Sequence, residues 1–196
     1  NMAITRLGGA NAITGTIPQG NIANASLGAV TALPASITTG KVLQVKQTVK
    51  TDTFSRSANS FADITGMSVS ITPASSSNKV YVICDLRLGC SATSGAGMIK
   101  LLRDSTNIYV GTDTGSNRIA CAWGTNDFSA IDTNHPAVIC CLDSPATTSA
   151  TTYKLQMSNQ RPGSQETIYL NRDSGYSDDQ QLPALCSSIT VMEISA

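Results

Sequence analysis

Short runs in which apolar and polar residues alternate are the feature that most constrains this chain. In Lys79–Leu88, every second residue is apolar and falls on one face: Val80, Val82, Cys84, Leu86 and Leu88. A period of two predicts a strand with one buried face. Turn signals recur about every 8–15 residues, and no long stretch follows the helical period. We therefore predict an all-β chain, an antiparallel β-sandwich of jelly-roll type.

Ten further runs predict the other strands. They are Lys41–Val49, Phe61–Ile64, Met67–Ile71, Met98–Arg103, Asn107–Val110, Arg118–Trp123, Ala137–Leu142, Thr152–Ser158, Glu166–Asn171 and Ser187–Ile194. Thr65 and Gly66 stand between two of these runs and predict either a hairpin or a bulge.

The first forty residues have a different character. Residues 2–40 contain one charged side chain, Arg6, and two prolines, Pro18 and Pro34, that interrupt any continuous helix or central strand. Isolated apolar residues are spread through them, too thinly to form a core. We predict an extended virion-anchoring or shaft segment at 1–40 and a β-sandwich head at 41–196. The residues expected to make trimer or anchor contacts are Ile13, Ile17, Ile22, Leu27, Val30 and Leu33.

Charge and composition remove two classes of function. The chain has 196 residues, with 13 Lys and Arg balancing 13 Asp and Glu, so its formal net charge is zero. A neutral chain offers no basic field for nucleic-acid phosphates. No apolar run approaches the roughly 20 residues of a membrane span, so membrane insertion is not expected.

Residues of the types that usually act in catalysis or bind metals are sparse. His135 is the only histidine, there is no CxxC pair, and no GxSxG motif is present. We predict no catalytic residue, no metal site and no cofactor. The six cysteines are expected to be mostly reduced, and the neighbours Cys140 and Cys141 should point to opposite faces of a strand.

Contact with a sugar or a receptor is the remaining kind of site. Tyr176, Asp178 and Asp179 lie in a polar segment typical of a surface loop, and Trp123 closes a predicted strand. Exposed aromatic residues stack on sugars and anchor interfaces. We therefore predict host or sugar contact at these four residues. For Trp123 a role in the core or in an interface is the competing interpretation, and for Tyr176 it is a solvated loop.

Several strings resemble the C-terminal domain of bacteriophage tail fibres and other virion fibres, including those of marine phages and cyanophages. They are KVLQVKQTVKTDTFS, FADITGMSVSITPASSSNKVYVI, IKLLRDSTNIYVG, LDSPATTSATTYKLQM and SSITVMEI, and the N-terminal MAITRLGGANAITGTIP is similar to fibre-shaft or virion-anchor segments. The resemblance implies a homotrimer with a β-sandwich head, located on the virion and assembled in the host bacterial cytoplasm.

These observations predict a non-enzymatic phage structural protein. Our first hypothesis is a trimeric tail or head fibre that binds other virion proteins through residues 2–40 and contacts the host surface. Two alternatives stay open: a capsid decoration protein that stabilises the shell, and a carbohydrate-binding module that recognises a host glycan.

Overall fold

The prediction of an all-β fold is confirmed. The computed structural model describes residues 42–161, 163, 166–175 and 177–196, and in these ranges the chain forms strands and loops without a helix. No described segment is a helix long and apolar enough to cross a membrane. The strands in chain order are β1 (Val42–Lys50), β2 (Phe54–Arg56), β3 (Ala62–Ile71), β4 (Lys79–Cys90), β5 (Gly97–Arg103), β6 (Thr106–Ile108), β7 (Trp123–Thr125), β8 (His135–Asp143), β9 (Thr151–Asn159), β10 (Ile168–Leu170) and β11 (Ser187–Ile194).

The strands form two antiparallel sheets. In the first sheet, β4 has β8 on one side and both β11 and β10 on the other, with β1 beyond β11 and β2 beyond β10. In the second sheet, β3, β9 and β5 are neighbours in that order, and β6 and β7 both pair with the far side of β5.

This strand order is that of a jelly roll. If β6 and β7 count as one position and the short β2 and β10 are set aside, the chain has eight principal strands. The first sheet then takes the first, eighth, third and sixth of them, and the second sheet takes the second, seventh, fourth and fifth. This alternation between sheets is the double Greek key of a jelly roll.

The core lies between the sheets and follows the sequence pattern. The predicted inward face of β4, from Val80 to Leu88 in steps of two, is fully buried. Ile99 and Leu101 of β5, together with Leu155 of β9, are also fully buried. Alternation was therefore a good guide to the inner face of β4, which buries one side over most of its length. β11 departs from it, since Ile189, Thr190 and Val191 are buried in succession.

Two details refine the sequence prediction. The pairing of β3 with β9 shifts between Asp63 and Ser68, and Gly66 has φ +82°, so the Thr65-Gly66 signal marks a bulge within one strand. The predicted strand Arg118–Trp123 is wrong in its extent, since only Trp123–Thr125 form β7. Before it, the backbone N–H of Ala122 donates to the carbonyl of Ile99 (2.9 Å) while residues 118–122 stay outside the ladder.

Candidate functional site

The loop predicted to contact a ligand joins β10 to β11. A cavity of about 370 Å³ opens in it, lined by Arg172, Asp173, Ser177, Asp178, Asp179, Leu182, Pro183 and Ala184. The structure thus brings Asp178 and Asp179 to one concave surface, where both are exposed. Tyr176 lies outside the described residues.

Asn171 holds the two ends of this loop together. It is buried at the start of the loop and has φ +62°, a conformation that asparagine tolerates better than most residues. Its Oδ1 accepts a hydrogen bond from Ser187 Oγ (2.6 Å) at the far end of the loop. Its Nδ2 donates to the carbonyls of Lys50 and Asp52, both at 2.9 Å. The loop is therefore closed at its base by one amide.

The two adjacent aspartates differ in role. The carboxylate of Asp179 accepts a hydrogen bond from the backbone N–H of Gln181 (2.9 Å), and its carbonyl accepts one from the N–H of Leu182 (3.0 Å). Asp179 therefore stabilises a turn of its own loop. Asp178, on the rim of the same cavity, is the more suitable of the two for contact with a ligand.

Trp123 lies apart from this cavity lining. It is on β7 in the second sheet, opposite Ile99, half-buried and packed against the core. The packing favours the interpretation of Trp123 as a core aromatic residue. Its contact with a sugar stays a prediction.

His135 packs into the structure around Phe128. The ring nitrogen Nε2 lies 2.6 Å from the carbonyl oxygen of Phe128 and 3.1 Å from Thr133 Oγ1. The imidazole also meets the Phe128 ring edge-on, with the ring centroids 5.2 Å apart. This histidine fixes the loop before β8. Among the described residues, no group of three or more His, Cys, Asp or Glu side chains is arranged to hold a metal ion.

The outer face of the second sheet has polar side chains that hydrogen-bond to one another. Asp63 accepts hydrogen bonds from Lys154 Nζ (2.8 Å) and Gln156 Nε2 (2.7 Å), and these two bonds hold the pKa of Asp63 below its usual value. Ser70 Oγ and Thr152 Oγ1 are hydrogen-bonded at 2.8 Å. This face is typical of a solvated surface.

The outer face of the first sheet contains a group of apolar residues. Register places Val45, Met192, Tyr81 and Leu142 in one row across β1, β11, β4 and β8. The next row contains Ile83 and Cys140 beside the polar residues Gln47 and Thr190. The third contains Val49 and Val138 at its two ends, with Ser188 and Asp85 between them. We call the eight apolar residues of these rows the outer apolar face: Val45, Val49, Tyr81, Ile83, Val138, Cys140, Leu142 and Met192.

Four side chains of the outer apolar face are strongly exposed. The exposed fractions are 53% for Val45, 50% for Val49, 57% for Val138 and 59% for Leu142. Contiguous exposed apolar residues of this kind mark interaction surfaces, whereas single exposed apolar residues do not. This face is the strongest candidate site in the described chain.

Sequence reasoning missed this surface, although a signal was present. The run Ala137–Leu142 is apolar at every position, so both faces of β8 are apolar. Tyr81 and Ile83 likewise stand among the charged residues on the outward side of β4. A continuous apolar strand at a sheet edge would have indicated an outward apolar face, once β8 was known to be an edge strand.

Comparisons with known proteins give a likeness of fold alone. No family model matches the chain, and no curated protein matches it. Among solved structures, the VP2 subviral particle of infectious bursal disease virus has a TM-score of 0.42 and 12% identity, covering 78% of this chain and 38% of that one. The Gt strain of the same virus has a TM-score of 0.43 and 14% identity, with the same coverage. The chain therefore spans less than half the length of these proteins.

Proposed function

We propose that this chain is a non-enzymatic structural protein of a bacteriophage virion, a homotrimeric tail or head fibre whose jelly-roll head projects from the particle. Residues 2–40 attach it to other virion proteins, and the head contacts the host surface. The observation that carries the proposal is the contrast between the two sheets. One has the outer apolar face, whereas the polar side chains on the outer face of the other hydrogen-bond to one another. A protein with such a pair of faces is suited to assembly.

The sequence supports the same conclusion independently. The charge-poor segment 2–40 needs a surface to cover its scattered apolar residues, and the strings resembling phage fibres extend over most of the chain. Jelly rolls serve in viral capsids and in lectins, so the fold agrees with this role without requiring it.

Locating the protein on particles tests the proposal. Purified phage should contain the chain by mass spectrometry, and gold-labelled antibody against the head should decorate particles at one class of position in electron micrographs. Label at the tail or neck would support a fibre, and label over the whole shell would support a decoration protein. A chain found in the host lysate and absent from purified particles would contradict a virion role.

The cavity in the β10–β11 loop favours a second candidate function, recognition of a host glycan. Its volume of about 370 Å³ lies within the roughly 300–1,000 Å³ of small-molecule sites. Binding to an array of host surface glycans would test it. Asp178→Asn should weaken any signal at least 10-fold, whereas Asp113→Asn, at an exposed aspartate on another loop, should leave it unchanged.

A further inference from the structure

We propose that the outer apolar face is the surface on which copies of this chain meet, in a closed ring where the β8 side of one head packs against the β1 side of the next. The inference deepens the proposed function by naming the surface behind the trimer. The partner is a second copy of the same chain.

The position of the exposed residues supports a ring. The four most exposed side chains of the face lie on its two edge strands, Val138 and Leu142 on β8 and Val45 and Val49 on β1. The central strands contribute half-buried residues such as Tyr81 and Met192. A closed rotational ring needs two complementary patches at different sides of each copy, and the two edges supply them.

The charges on this sheet do not oppose contact between identical copies. Asp85 is the one charged residue within the three rows, and it forms a salt bridge with Arg87 beside them. Lys46 pairs in register with the core residue Val191, so it does not belong to the outer rows. The charge of Asp85 is therefore compensated within each head, so these rows give identical heads no net like charge to repel one another.

The edge strand β8 adds a second argument. In the described chain it pairs with β4 alone. Natural proteins protect long edge strands with lysines, prolines, bulges or a cover. Pro136 protects only the start of β8, and from Ala137 to Leu142 the strand contains none of the protecting residues. Asp143 at its end is bound by Arg103 (2.8 Å) and Tyr153 (2.7 Å). Packing of another subunit against β8 would bury an edge strand of this composition.

The size of the face is consistent with an interface. With nine residues in β1 and nine in β8, at about 3.3 Å per residue and about 4.8 Å between strands, four strand positions project about 600 Å². This area includes the polar positions Gln47, Thr190, Ser188 and Asp85, so the apolar patch covers only part of it, and the strongly exposed apolar side chains lie at its two edges.

The ring has a definite geometry. If its axis runs along the strands, Leu142 of one copy lies at the height of Val45 of the next, because the two residues share a row within each head. Leu142→Lys and Val45→Asp, made singly in the full chain, should each weaken the trimer at least 10-fold in light scattering. The double variant should regain most of the assembly, since every interface then pairs Lys with Asp.

Matched measurements separate this effect from misfolding. Ser68→Asp places the same charge on an exposed strand position of the second sheet and should leave the mass of the trimer unchanged. The gentler variants Leu142→Ser and Val45→Ser should also weaken the trimer while circular dichroism stays that of a β protein. Cys140 on the face should resist alkylation in the trimer and react in the single variants, with the exposed Cys186 as internal reference.

The outcomes separate the inference from the proposed function. A trimer that survives every change on the face but dissociates when Ile13, Ile17 and Ile22 become Ser would assign association to residues 2–40 and overturn the inference alone. Failure of the charge swap to restore a trimer lost in both single variants would overturn the head-to-tail contact. A monomeric wild type would overturn the inference together with the trimer, whereas absence from particles would overturn only the virion role.

Discussion

At the scale of single residues, Glu193 shows how a buried carboxylate can stabilise this fold. It is fully buried at the end of β11. It accepts hydrogen bonds from Gln44 Nε2 (2.6 Å), the backbone N–H of Ala74 (2.7 Å) and Asn78 Nδ2 (2.5 Å). Burial alone would raise the pKa of Glu193, but these donors outweigh burial and hold it below the ordinary value of 4.5. The carboxylate therefore ties β1 and the β3–β4 loop to β11.

Glu193→Gln should lower the free energy of unfolding by about 1–3 kcal/mol, because the new amide group meets donors where an acceptor is needed. The pH dependence has a definite sign. Because the pKa of Glu193 is lowered in the folded state, its ionised carboxylate stabilises the fold at pH values above the ordinary pKa. That contribution is lost as pH falls below about 4.5. Urea unfolding at pH 7 and pH 4 should show a larger acid loss in wild type than in Glu193→Gln. As a control, Asp113→Asn at an exposed ion pair should change the free energy of unfolding at pH 7 by less than about 1 kcal/mol. An equal loss of stability at acid pH in wild type and Glu193→Gln would contradict this account.

The cysteines give a second prediction at this scale. All six are free thiols, with Cys84 and Cys90 buried and Cys186 exposed. As predicted, Cys140 lies on the outer face, while Cys141 packs against the core, where burial raises its pKa to about 11. Only the thiolate is alkylated, so burial and a raised pKa act in the same direction. In the native protein Cys186 should react first and Cys84 last, and denaturation without reductant should expose nearly all six. Labelling of two or fewer after denaturation would show disulfides instead.

At the scale of elements, strands that bury one face could be predicted, and short or irregular ones could not. Ser187–Ile194 is confirmed with its bounds, and Lys79–Leu88 extends by two residues to Cys90. β2 was missed because its three residues are too few to establish a period. Arg118–Trp123 was overestimated because an apolar run alone does not reveal whether a paired neighbour is available.

A polar triad links three strands and supplies the prediction for this scale. Tyr153 Oη on β9 donates to Asp143 Oδ2 on β8 (2.7 Å), and Arg103 on β5 donates to both carboxylate oxygens (2.8 and 2.9 Å). β8 belongs to the first sheet, while β5 and β9 belong to the second, so the triad joins the two sheets. Burial, and then the hydrogen bond to Asp143, raise the pKa of Tyr153.

Tyr153→Phe should lower the free energy of unfolding by about 1 kcal/mol or more, since the hydrogen bond from Tyr153 to Asp143 is lost and Arg103 alone remains to bind the carboxylate. Tyr109→Phe, at a half-exposed tyrosine, is the matched control and should be neutral. Because the pKa of Tyr153 is raised in the fold, its contribution is complete below pH 10 and is lost as pH rises beyond that value. Denaturant unfolding at pH 7 and pH 11 measures both effects. Equal alkaline losses in wild type and Tyr153→Phe would argue against the triad.

At the scale of the whole molecule, the candidate site was less predictable than the fold. The polar composition of the β10–β11 segment indicated a surface loop, and Asp178 and Asp179 do line a cavity there. The outer apolar face depends on which strands are neighbours. Val45, Tyr81 and Leu142 are far apart in the chain, and only the pairing of β1, β11, β4 and β8 makes them one surface. A single sequence records the period of each strand but not the order of strands in a sheet.

The proposed division into an N-terminal segment and a head also belongs to this scale. The buried apolar core of the described chain extends from Ile64 to Val191, between two sheets that begin at Val42. Deletion of residues 2–38 should therefore leave the β signature in circular dichroism and shift the thermal midpoint by only a few degrees. It should abolish incorporation into particles, because the deletion removes the apolar residues from Ile13 to Leu33 that we propose contact other virion proteins. The full chain with Thr14, Thr16 and Asn21 changed to Ser is the control, and it should be incorporated normally. An unfolded truncation would show that the segment belongs to the core of the head, and a truncation that still joins the virion would show that the head itself is the anchor.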